Sequence, residues 1–173
     1  MITNGSGIRK QAHKNSRMVN GLKEDDDAPL PSKIKDYVAF LIIFAVILSL
    51  ITIRGNYILA PPYAVSAYLV VFQRNTKYAS RKSLAATYLL VIITSDIIHL
   101  AIGVALEGLI LNVIIVSAFI TFTEFSHPPA IALAIFSYIA GDPLDFTISS
   151  LLALAALLAG YLILDKFTAR NRK

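Results

Sequence analysis

The chain has 173 residues, 56% of them hydrophobic and 16% charged, with a formal net charge of +5 and a mean hydropathy of +0.66. So large an apolar share does not suit a small soluble domain and points to the bilayer, where about 20 apolar residues make one crossing. There is no cysteine, which excludes disulfide scaffolds, thiolate catalysis and cysteine-based metal sites. The positive charge sits in the tails and one loop, so it reads as a topology signal and an attraction to anionic lipid, not as nucleic-acid binding.

Residues 1–35 are polar, with the acidic run Glu24-Asp25-Asp26-Asp27 and the prolines Pro29 and Pro31. No helical or strand period supports a core there, and the expectation is a disordered cytosolic tail. Its first part is basic and free of acids, as organelle-targeting peptides are, but it has no amphipathic face. The first apolar run starts only near Tyr37, so nothing resembles a cleaved signal peptide.

Six hydrophobic segments follow over 36–165: Asp36–Ile53, Tyr57–Gln73, Ser83–Leu106, Leu109–Phe125, Ser126–Gly141 and Phe146–Leu164. The first, third, fourth and sixth read as ordinary spanning helices. The second and fifth each contain a Pro-Pro pair, Pro61-Pro62 and Pro128-Pro129. Proline lacks an N–H and blocks the helical bond behind it, so a helix can begin at such a pair but cannot run through it. Half-helices of about 18–20 Å are expected, at about 1.5 Å per residue, against a hydrocarbon core about 30 Å thick. Residues 166–173 form a basic C-terminal tail, expected in the cytosol.

Two topologies compete. If the Pro-Pro segments dip in and return on the same side, the basic loop Arg74–Lys82 faces outward, against the positive-inside rule. If each crosses as an extended stretch plus a half-helix, both tails and this loop lie inside. Fifteen of the sixteen Lys and Arg residues are then cytosolic, with Arg54, Glu107, Asp142 and Asp145 outside. The second topology is preferred. The expected fold is therefore an all-α membrane protein with its six segments arranged as a 3+3 inverted repeat. The middle member of each half is a half-helix broken at its Pro-Pro pair. The plainer reading of the similarity between halves is that any two proline-initiated membrane helices look alike.

The segment Phe125-Ser126-His127-Pro128-Pro129-Ala130, with Pro61-Pro62-Tyr63-Ala64-Val65-Ser66-Ala67 upstream, resembles the HPP family of integral membrane proteins. The likeness covers roughly residues 37–165. That family is described as having four membrane helices, which fits if the two broken segments are not counted. Its characterised relatives look like nitrite transporters, so the resemblance implies transport of a small anion.

The residues suggest how an anion would be held. First-turn N–H groups of a helix lack intrahelical partners, and the dipole adds positive character. Two such starts near the midplane would hold an anion without Lys or Arg, and none lies in any hydrophobic segment. The expected binding residues are Pro61, Pro62, Tyr63, Ala64 and Ser66 at one start. Those at the other are Ser126, His127, Pro128, Pro129 and Ala130. The N–H donors would come from Tyr63, Ala64 and Val65, and from Ala130, Ile131 and Ala132. The small side chains equally permit close helix packing.

Asp96 and His99 lie one turn apart in the third segment, and Glu124 and His127 repeat the spacing. Ionisable groups at such depth are functional candidates. They would relay protons coupled to anion movement, or bind a divalent metal, or an Asp–His pair would satisfy itself between helices. No nucleotide loop or hydrolase arrangement is present, so a transporter or channel is expected rather than an enzyme, without a cofactor. The small residues Ala155, Ala156, Ala159 and Gly160 favour close helix contact, within the chain or in a homo-oligomer. The expected setting is the cell membrane. A membrane protein that binds a metal and a scaffold that transports nothing are the alternatives.

Overall fold

The computed structural model describes residues 30–53 and 55–170. The chain divides into two units, Met1–Asp36 and Tyr37–Lys173, and the fold below is that of the second. Its helices are α1 (Leu30–Thr52), which enters this unit at Tyr37, then α2 (Ala60–Phe72), α3 (Arg81–Ile102), α4 (Leu106–Phe122), α5 (Pro129–Phe136) and α6 (Pro143–Arg170). Single 3-10 turns lie at Tyr57–Leu59 and Lys77–Ala79. There is no strand among the described residues.

Among the described residues, three stretches are long and apolar enough to cross a membrane: Leu30–Thr52, Arg81–Ile102 and Pro143–Phe167. Tyr57–Phe72 and α4 are apolar but shorter. The molecule is thus an all-helical protein built like a membrane protein. The fourth segment keeps its expected length but lies three residues earlier, and the fifth is shorter than the sequence suggests. At 17 residues, α4 reaches only about 26 Å at about 1.5 Å per residue. It is bounded by extended residues, Ala105 and Thr123. Helix α5 has 8 residues and stops before Gly141. Beyond it, Tyr138 N–H bonds to Ile135 O and Ile139 N–H to Phe136 O, both at 3.1 Å, the tightened i to i−3 pattern that ends many helices. Four helices start earlier than expected, at Leu30, Arg81, Leu106 and Pro143. Residues 30–35 of the predicted tail are helical, and the rest of that tail lies outside the described residues. Helix α6 begins at Asp142-Pro143, where Asp142 Oδ1 accepts from Asp145 N–H at 3.0 Å, an acidic cap before a proline.

Long-range contacts fix helix directions. Arg81 at the start of α3 pairs with Asp165 near the end of α6 at 3.8 Å. Asp96 near the end of α3 accepts from Thr147 near the start of α6 at 2.6 Å. These helices are therefore antiparallel. So are α3 and α4, turned by Gly103 at φ +85° and joined by Thr94 donating to Asn112 Oδ1 at 2.7 Å. Phe40 on α1 meets Tyr68 and Phe72 on α2, each with ring centroids 6.2 Å apart. A Cβ on Gly160 would lie 3.0 Å from Ile43 Cγ1, so α1 rests on the bare backbone of α6. Of the small residues of the sixth segment, Gly160 thus serves a contact within the chain, while Ala155 and Ala159 are exposed. The stripe Ile43, Ile47 and Ile51 turns inward, while Val38, Ile42 and Val46 face out, as for a helix with lipid on one side.

Candidate functional site

The two Pro-Pro pairs lie side by side. Pro61, Pro62, Val65 and Leu69 of α2 and Pro128, Pro129 and Ala132 of the α5 start line a cleft of about 450 Å³ together with Tyr78. Its wall is carbon on both helices.

Polar groups stand behind this wall. His127 is fully buried, and its Nδ1 lies 2.6 Å from the carbonyl of Tyr78. A carbonyl only accepts, so Nδ1 carries a proton. Its Nε2 lies 2.8 Å from Ser66 Oγ. Ser66 Oγ is also 2.6 Å from the Tyr88 hydroxyl and 3.0 Å from Pro62 O. Tyr88 reaches Pro62 O as well, at 3.1 Å. In the neutral ring, Ser66 donates to Nε2 and Tyr88 donates to Ser66. In the imidazolium, Nε2 donates to Ser66, whose own proton turns to Pro62 O. The hydroxyl rotors complete either arrangement. Tyr88 is held in place by Tyr63, stacked at 5.0 Å, and Tyr63 donates to Ser150 O on α6 at 2.7 Å. One buried cluster therefore ties α2, α3, α6, the α5 start and the 3-10 turn of the basic loop.

The free N–H groups expected at the two starts are absent, and this corrects the expected donors. At α2 the helical path already begins at the 3-10 turn. Leu59 N–H bonds to Asn56 O at 3.0 Å and Ala60 N–H to Tyr57 O. Pro61 and Pro62 have no N–H, and Tyr63, Ala64 and Val65 belong to the ladder of α2. At α5, Pro128 and Pro129 have none, while Ala130 N–H bonds to His127 O at 3.1 Å and Ile131 N–H to Pro128 O at 3.0 Å. Ala132 is within the ladder. Each start uses two prolines and two short local bonds to close all four positions that a helix start normally leaves open. Ser126 is buried, and its N–H bonds to Glu124 O at 3.1 Å.

The four ionisable candidates do not converge. Asp96 is committed to Thr147. Glu124 is exposed. His127 is held by Ser66 and Tyr78. His99 is buried edge-on against Tyr138 at 4.4 Å, with neither ring nitrogen hydrogen-bonded. The alternative of an Asp–His pair satisfying itself between helices is not realised at His99, whose ring makes no hydrogen bond. Among the described residues, no three His, Asp or Glu side chains come together as a metal site. The metal alternative therefore lacks its donor set.

Sequence reasoning missed two features. Tyr88 is the link between the histidine cluster and the aromatic stack, and its signal was a phenol inside an apolar run, since a buried hydroxyl needs a partner. Asn112 is fully buried and donates to Ser95 Oγ at 2.8 Å, and Ser95 donates to Ser137 at 3.0 Å. This second polar chain joins α3, α4 and the end of α5. An amide alone in the fourth segment was its visible sign.

Comparison with protein-family models, curated proteins and solved structures finds no match for this chain.

Proposed function

We propose that this chain is a multi-pass permease for a small inorganic anion, with nitrite the class its resemblance to the HPP family implies. The observation that supports this most is the pairing of both Pro-Pro starts along one cleft, with His127, Ser66 and Tyr88 bonded directly behind it. Two short helices meeting inside an apolar bundle make a weak place in the barrier. Polar groups kept there at a desolvation cost have a use in solute passage.

In this reading the conformation described is closed. The cleft offers no hydrogen-bond donor to an anion, and the donors behind it are engaged with each other. Opening separates Ser66 from His127, and both then turn to the anion. His127 passes between its two hydrogen-bond arrangements as it gains or loses a proton, which provides the coupling. Asp96 and His99 tune the process from the other end of α3.

The finer topology belongs to the same proposal. The six helices form two triplets of opposite direction, each with a Pro-Pro helix in the middle. The end bearing Arg74, Lys77, Arg81 and Lys82 faces the cytosol of a cell membrane, with both tails, in keeping with the positive-inside rule. Homo-oligomers are compatible with this arrangement.

The test is uptake of labelled nitrite into proteoliposomes, with and without a pH gradient. Flux above that of empty liposomes, accelerated by the gradient and lost in His127→Ala, is expected. Absence of flux for nitrite, nitrate, formate and chloride alike would leave a non-transporting scaffold as the better reading.

A further inference from the structure

The end of α3 away from the basic loop is built in two polar layers. Ser95 and His99 lie one turn apart on the buried face of α3, and Asn112 and Gly108 one turn apart on the buried face of α4. Ser137 and Tyr138 follow directly after α5. In the layer nearer the middle of α3, every polar group is bonded. Thr94 donates to Asn112 at 2.7 Å, Asn112 to Ser95 at 2.8 Å and Ser95 to Ser137 at 3.0 Å. Ser137 then donates to Ala134 O at 2.8 Å.

The next layer, one turn closer to the end of α3, is the opposite. His99 and Tyr138 meet edge-on, and both ring nitrogens of His99 and the Tyr138 hydroxyl are buried without a hydrogen-bond partner. The contact is also tight. A Cβ on Gly108 would lie 3.1 Å from the Tyr138 hydroxyl oxygen and 3.1 Å from Ile98 Cγ2, so the phenol rests on the bare backbone of α4. A buried polar atom without a partner costs its full desolvation, and water would satisfy all three. The Pro-Pro junction loses hydrogen bonds when its parts separate; this layer gains them.

The connections on either side can pivot. Gly103, in the turn from α3 to α4, has φ +85°, and Gly141, between α5 and α6, has φ +83°. Open space surrounds both. Glycine takes such angles without strain, and a few residues of this kind suffice to absorb a hinge. The segments that carry Gly108 and Tyr138 are each joined to their neighbours through one of these glycines.

We infer that the His99–Tyr138 contact is a gate. It opens by pivoting at Gly103 and Gly141 and admits water to His99 and Tyr138, while the bonded layer of Asn112, Ser95 and Ser137 stays shut and forms its floor. The unpartnered atoms bias the contact toward opening. That opening needs no solute; as the entrance of a permeation route, the gate rests on the transport reading above.

The chain has no cysteine, so single thiols can report the opening. Ile98→Cys places one in the unpartnered layer and Ala134→Cys one beneath the bonded floor. Each full-length variant is reacted in lipid nanodiscs with a water-soluble methanethiosulfonate reagent. Local openings differ widely in free energy within one fold, and Ile98→Cys should react about tenfold faster than Ala134→Cys. Adding Tyr138→Phe keeps the ring on His99 but removes an unpartnered hydroxyl. It should slow the reaction of Ile98→Cys and raise the unfolding midpoint. Equal rates for the two thiols in folded variants overturn the gate. A midpoint lowered by Tyr138→Phe overturns it as well, because the hydroxyl then has a partner in the closed state. Neither readout involves flux, so a failed transport assay leaves both intact.

Discussion

The Pro-Pro junction and the basic end treat polar groups in opposite ways. At the junction the polar atoms of His127, Ser66, Tyr88 and Tyr63 have partners inside the protein, and the four open positions of each helix start are closed. At the basic end Arg81 and Lys82 line an open cavity, and the Arg81–Asp165 pair is exposed. A group bonded within the protein holds elements together and answers to a solute only when they separate. A group left facing outward answers to whatever is present. Two helix starts expected to offer open N–H groups thus have them closed, while the start of α3 keeps its ion pair at the surface.

This contrast can be broken by mutation, and the largest effect belongs at the junction. His127→Ala leaves Ser66 and the Tyr78 carbonyl short of a buried partner and should cost about 1–3 kcal/mol, seen as a fall in the unfolding midpoint in detergent. An unchanged midpoint would mean that these bonds are not structural. Gly160→Leu drives a side chain into Ile43, which already lies 3.0 Å from the position of a Cβ. Overpacking there should cost about 1–3 kcal/mol and loosen α1, measurable as faster proteolysis between α1 and α2. Tyr88→Phe keeps the stack on Tyr63 but removes the hydroxyl from Ser66 and Pro62 O, at about 1 kcal/mol. Its midpoint should fall between those of the parent and His127→Ala. Arg81→Gln marks the small end of the scale. Losing its exposed pair should cost less than about 1 kcal/mol, seen as a small shift of the unfolding midpoint. A large loss of stability there would give the basic end a structural part like that of the junction.

Much of the architecture was legible. Long apolar runs gave α1, α3 and α6 because a bilayer-length run leaves few alternatives. The Pro-Pro pairs marked two helix starts because proline forbids a helix behind it. Boundaries were read less well. Asp142-Pro143 is a capping signature, yet the sixth segment was drawn from Phe146. The short α5 was hidden because Ile139 and Ala140 are as apolar as the helix before them. The site was legible only in outline. Ser66 and His127 were named separately, but their bond spans 61 positions of sequence and no local pattern carries it. The N–H donors were misjudged because local turns at Asn56–Ala60 and His127–Ile131 consume them, and such turns leave little trace in an apolar run. The Asp96–His99 spacing was real, but Thr147 and Tyr138, from distant parts of the chain, claimed the two side chains instead.

The central claim is that the cleft between the Pro-Pro helices opens during transport. The absence of cysteine makes a direct measurement possible. Val65→Cys and Ala132→Cys place one thiol on each wall of the cleft. Nitrite uptake is then followed in proteoliposomes before and after a reducible bifunctional thiol reagent joins them. The account predicts uptake falling to the level of empty liposomes on cross-linking and returning on reduction. Uptake that continues undiminished through a confirmed cross-link would contradict it.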